Sequence, residues 1–128
     1  LFDALQATFD RSRNHYDRLG HVFQGITAAV VGREILLRLS PLHRGGWLFF
    51  LVCCVALALS AFYELIEWSV ALASGETAVA FLATQGDPWD TQWDMFLALC
   101  GAVLIQLAVQ PTQDKQLRQL DPTLPFRK

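Results

Sequence analysis

Residues 47–62 read WLFFLVCCVALALSAF, without one charged side chain. A second run, MFLALCGAVLIQLAV at 95–109, is interrupted only by Gln106. Two such runs are hard to hide in a soluble domain of 128 residues, where little of the chain lies far from the surface. Crossing a hydrocarbon core of ~30 Å takes about 20 helical residues, and the first run extends to residue 73 with few interruptions. The reading that follows is an all-α, polytopic transmembrane helical bundle forming a single membrane domain over 1–128.

The rest of the composition agrees. The chain is 53% apolar and 17% charged, with a mean hydropathy of +0.32. An average soluble domain carries about 25% charged residues. The net charge is −2 and no basic patch is interleaved with aromatics, which argues against a nucleic-acid partner and leaves membrane lipids as the expected surroundings. Cys53, Cys54 and Cys100 all fall inside apolar runs without C-x-x-C spacing, so they read as small buried hydrophobes. No signal-peptide pattern opens the chain, which begins at Leu1 and reads as part of a longer protein.

Working outward, three spans are expected at about 16–39, 47–73 and 88–110. The first is the most polar, with Asp17, Arg18 and His21 at its start and Arg33 and Glu34 near its end. Its middle, VFQGITAAVVG, places Gly25, Ala28, Ala29 and Gly32 where a second helix can approach closely. Leu1, Phe2, Leu5 and Phe9 recur at helical spacing and predict a short N-terminal interfacial helix. SPLHRGG at 40–46 is a turn by composition. Pro111 is expected to break the third span, leaving a polar C-terminal tail at 111–128.

Arg33, Arg38 and Arg44 flank the first turn; Lys115, Arg118, Arg127 and Lys128 lie in the tail; the 74–93 loop has no Lys or Arg. The positive-inside rule puts the 40–46 turn and the tail in the cytoplasm and the 74–93 loop outside, with Arg11, Arg13 and Arg18 voting the other way. Antiparallel packing then gathers the start of span one, the end of span two and the start of span three at the outer face.

Those three places hold the unusual polar residues. Asp17 and His21 are one turn apart. Glu64 and Glu67, in AFYELIEW, share a face of span two. Asp87, Asp90 and Asp94, in TQGDPWDTQWDMF, open span three. Asp87-Pro88-Trp89-Asp90 also reads as a helix start, with Asp87 as N-cap, Pro88 as first helical residue and Asp90 completing a capping box. Trp47, Trp68, Trp89 and Trp93 suit an interfacial aromatic belt.

An acid within the bilayer costs about 2.5–3.5 kcal/mol on insertion scales, so Glu64 and Glu67 should face the bundle interior and find partners. Three readings stay open. The cluster is a buried polar network or headgroup pocket, with Arg18, Tyr16 or Tyr63 as partners. It is a divalent-metal site, because histidine and carboxylates from facing helices make up the ligand set of bundle-borne metal centres. Or it is a proton-linked passage, because crowded carboxyl groups cannot all ionise together. The candidate ligands are His21, Glu64, Glu67, Asp90 and Asp94. Asp17 is the orienter of His21 or a co-ligand, and Tyr63 and Asp87 are supporting groups. The metal's identity, any catalysis and any envelope partner or oligomer stay undetermined. His15 and His43 read as surface residues. No G-x-S-x-G, H-E-x-x-H or P-loop pattern is present, and Ser60 has no base close in sequence.

The segments NHYDRLGHVFQG, SAFYELIEW and TQGDPWDTQWDMFLALCGA, in this order, resemble the YjdF-like family of bacterial inner-membrane proteins. The resemblance covers most of residues 10–110. It implies a polytopic protein of the bacterial inner membrane with further apolar segments upstream. A looser similarity links the chain to VanZ-like membrane proteins. They share an Asp-x-x-x-His opening one span (here Asp17 and His21), an acid in the next (Glu64 or Glu67) and spaced aspartates opening another (Asp90 and Asp94). VanZ-like proteins are associated with glycopeptide resistance, which implies a role at the outer face of the envelope. Their acidic span usually carries a Gln, where this chain has Tyr63 and Glu67. The resemblance implies that these polar residues are shared motifs and so form a site rather than an incidental network; on the residues' own chemistry, that site binds a divalent cation or a lipid-type ligand. The alternatives are a non-catalytic module whose network only pins helices, and a proton-linked passage.

Overall fold

The computed structural model describes residues 2–74 and 89–121, with side chains for 16–73 and 89–121. Within them lie three helices: α1 (Phe2–Leu39), α2 (Gly46–Ser74) and α3 (Asp90–Leu120). No strand occurs among the described residues. Two segments, Gly46–Ala73 and Asp90–Leu120, are long and apolar enough to cross a membrane; α1 is long enough but more polar.

α1 runs unbroken through 38 residues, roughly 57 Å at 1.5 Å per residue. The expected interfacial segment is therefore the first part of the same helix as the first span rather than a separate element. Its side chains fall outside the described residues. α1 ends where Ser40 turns its hydroxyl back to the Leu36 carbonyl and accepts the Leu42 N–H at 3.4 Å. Pro41 removes the next backbone donor and disfavours helical geometry at Ser40.

Side-chain pairings fix the directions. Gly25 faces Ala98 and Arg33 faces Asp114, so α1 and α3 run the same way. His21 faces Glu64 and Gly32 faces Val55, so α2 runs against both. The largest interface is between α1 and α3. It is built on small residues: a Cβ on Gly25 would run into the Ala98 carbonyl, and one on Gly101 into the Val22 carbonyl. Ala28, Ala29, Ala56 and Ala102 are buried around this crossing, and Leu37, Leu48, Val52 and Leu117 close the core below it. In lipid the apolar effect does not drive helices together, and close backbone approach supplies dispersion contact instead. Meanwhile Phe50, Phe62, Leu104 and Leu107 point outward, each more than half exposed. An apolar exterior over a core of small residues is the pattern of a bundle solvated by lipid.

Pro111 does not end the third helix. α3 continues through it to Leu120, which corrects the expected break at Pro111 and makes the first part of the polar tail helical. Proline within a helix removes one hydrogen bond and crowds the preceding turn, at about 3 kcal/mol. Tertiary contacts beyond the proline offset this. Arg33, 1% exposed, donates to Gln113 Oε1 at 3.2 Å and, more closely, to Asp114 Oδ1. Gln113 in turn donates to the Val30 carbonyl at 2.9 Å, and Leu117 is buried. Arg44 approaches from the turn, its Nε 2.6 Å from Asp114 Oδ2 as an ion pair not aligned as a hydrogen bond. A buried guanidinium needs such partners, and only a helix that continues past Pro111 delivers them.

Candidate functional site

At the opposite end of the bundle, α1, α2 and α3 each turn polar side chains inward. His21 on α1 is 3% exposed and Asp94 on α3 is 2% exposed. His21 Nε2 lies 3.4 Å from Glu64 Oε1 on α2 and 3.9 Å from Asp94 Oδ2. One ligand atom each from Asp17, His21 and Asp94 falls within 4.8 Å of the others. The spacing explains the convergence: Asp17 and His21 share an α1 face at i and i+4, and Asp94 lies one turn before Ala98, where α3 presses against Gly25. The close crossing thus holds the acids against the histidine.

The supporting contacts are local. Tyr63 meets the His21 ring edge-on, centroids 5.6 Å apart at 77°. Glu67, four residues along the same helix, is near enough to the Tyr63 hydroxyl for their charges to interact. Thr91 of α3 stands beside Glu64. Gln24 stands beside His21, yet neither His21 Nδ1 nor Gln24 Oε1 completes a hydrogen bond. Glu64 Oε1, Asp94 Oδ1 and the wholly buried Ser60 Oγ also have no hydrogen-bond partner. Buried polar atoms in native proteins nearly always have a partner, so those at this end of the bundle stand out. A cavity of about 230 Å³ opens beside it, lined by Asp17, Gly20, His21, Gln24 and Tyr63.

The structure therefore brings together four expected residues, His21, Glu64, Asp94 and Asp17. Asp17, expected as orienter of His21 or co-ligand, stands in the closest group itself, beside His21 and Asp94. Glu67 and the buried Asp90 lie at the rim, within electrostatic reach but outside the closest group. Tyr63 touches His21. Asp87 and Pro88, and with them the proposed capping box, lie outside the described residues; α3 as described begins at Asp90, with Trp89 in the cap position. The four tryptophans are exposed near the helix ends, as an interfacial belt requires. Sequence reasoning missed Gln24, whose position one turn beyond His21 is the signal that could have found it.

Fold and site together define an α-helical membrane protein with a His/carboxylate cluster enclosed by three helices. The chain belongs to the family described as Predicted membrane protein (DUF2238), which it matches over residues 1–115. It is 56% identical over 115 residues to the inner membrane protein YjdF of Escherichia coli (strain K12). That match covers 90% of this chain and 55% of the relative, so the chain spans about half the relative's length. The YjdF-like resemblance carried by the three motifs holds. No solved structure matches.

Proposed function

We propose that this chain is a three-span module of a bacterial inner-membrane protein whose His/carboxylate cluster binds a divalent cation at the outer face. Two spans are supported by length and apolarity, and α1, packed along α3, serves as the third. The YjdF relative is an inner membrane protein, which supports the location. The orientation rests on Arg38, Arg44, Lys115 and Arg118 at one end against a 74–93 loop with no Lys or Arg. Arg33 counts for less, since it is buried against Asp114.

The observation that carries the proposal is the approach of Asp17, His21 and Asp94 to within 4.8 Å in a buried setting, with Glu64 alongside. One imidazole with several carboxylates suits Mg, Mn, Fe or Zn. Among the described side chains of α1, Arg18 is the one Lys or Arg near these acids, and a divalent cation supplies the missing positive charge. Titration of the detergent-purified full-length protein with Mn²⁺, followed by electron paramagnetic resonance, tests it. Bound Mn²⁺ showing a nitrogen coupling that His21→Gln removes supports the site; only the free-ion spectrum overturns it.

A second reading has its own support. The contacts from His21 Nε2 to Glu64 and Asp94 tie three helices at one point. On that reading the cluster only pins the bundle, and Asp94→Asn lowers stability with no change in bound metal.

A further inference from the structure

The polar cavity at the cluster adjoins an apolar one. A second, larger depression of about 610 Å³ runs down the cleft between α1 and α2. It shares Gly20, Gln24 and Tyr63 with the polar cavity. Beyond them its walls are Phe23, Val31, Leu59 and Phe62, all about half exposed or more. The volume is within the ~300–1,000 Å³ of small-molecule sites. One surface thus passes from the Asp17 carboxylate and the His21 imidazole to exposed apolar side chains along the α1–α2 cleft.

From this juxtaposition of a polar cavity and an apolar cleft we infer that the cluster's ligand is a membrane lipid phosphate, with its chain along the α1–α2 cleft and its phosphate at the cluster. The inference rests on the cation-site reading. Without a cation, Asp17 and the acids behind it repel a phosphate; with one, a phosphate oxygen completes the ion's coordination. His21 supplies the second observation. It is 3% exposed, lines the cavity, and its Nδ1 has no hydrogen-bond partner. The Gln24 side chain, common to both depressions, sits at the junction of headgroup and chain. Gly20, where a Cβ would meet nothing within 4 Å, leaves the passage between them open. Phosphate lacking a chain gains nothing from the cleft, and a chain lacking phosphate gains nothing from the cation. The site therefore selects for both in one molecule.

The test uses full-length protein in amphipol, loaded with Mn²⁺, and three probes: dodecyl phosphate, dodecanol and inorganic phosphate. Dodecyl phosphate is expected to bind at least ten-fold more tightly than either of the others. Thr27→Trp, which fills the cleft away from the polar cavity, should reduce that affinity at least ten-fold and leave bound Mn²⁺ unchanged. Equal binding of inorganic and dodecyl phosphate would assign the site to free phosphate and overturn the inference, with the cation reading intact. So would a loss of thermal stability in Thr27→Trp with no amphiphile bound to wild type, because the cleft is then covered by protein. Dodecyl phosphate binding that is sensitive to Thr27→Trp but survives chelation would overturn the cation reading and leave the cleft as the lipid site.

Discussion

His21 on α1 and Glu64 on α2, separated by more than forty residues in sequence, meet at 3.4 Å between Nε2 and Oε1, with Asp94 of α3 0.5 Å further from the same nitrogen (3.9 Å against 3.4 Å). One imidazole thus touches both neighbouring helices. Whatever occupies this point is held by all three, and the predictions below separate what holds the bundle from what the bundle holds.

The α1–α3 crossing depends on Gly25. Gly25→Ala places a methyl group against the Ala98 carbonyl, a backbone atom that cannot swing aside. Overpacking of this kind costs about 1–3 kcal/mol. Thermal denaturation in detergent should show a clear loss of stability for Gly25→Ala and almost none for Gly20→Ala, whose Cβ enters open space. Equal effects would contradict the crossing.

At the far end, Arg33→Met leaves the Asp114 carboxylate buried with only Arg44 beside it. Breaking a buried pair costs about 3–5 kcal/mol, whereas replacing both partners with apolar groups is often neutral. Arg33→Met should therefore be strongly destabilised, and Arg33→Met combined with Asp114→Leu should recover most of the loss. Failure of the double variant to recover would show that the two residues act separately.

Orientation is tested by labelling. With Cys53, Cys54 and Cys100 replaced by alanine, Ala73→Cys should react with an impermeant thiol reagent in intact spheroplasts. His43→Cys should react only after lysis. The reverse pattern would invert the topology and move the cluster to the cytoplasmic face.

Much of this was legible in the sequence because membrane helices are written in long apolar runs. Residues 47–62 and 95–109 suffice to place α2 and most of α3. The convergence of His21, Glu64 and Asp94 was legible for a related reason: successive spans alternate in direction, so the start of the first, the end of the second and the start of the third share one end. The helix beyond Pro111 was not legible. Local chemistry at Pro111 argues for a stop, and what overrides it is a contact 81 residues distant, from Arg33 to Asp114. Gln106, Gln113 and Leu117 do continue a helical face past the proline, and that spacing was the available signal. Gly101 was missed for a similar reason: one glycine in an apolar run gives no sign of which carbonyl will approach it. The rank of Asp17 among the ligating atoms depends on rotamers, which no spacing rule fixes.

The most direct measurement is elemental analysis of the purified full-length protein, comparing wild type with Asp94→Asn, His21→Asn and Arg38→Ala, the last lying at the other end of α1. The cation-site account predicts near-stoichiometric divalent metal in wild type and Arg38→Ala, and its loss in the two cluster variants while they remain folded by circular dichroism. Metal absent from wild type, or retained undiminished in folded His21→Asn and Asp94→Asn, would contradict it.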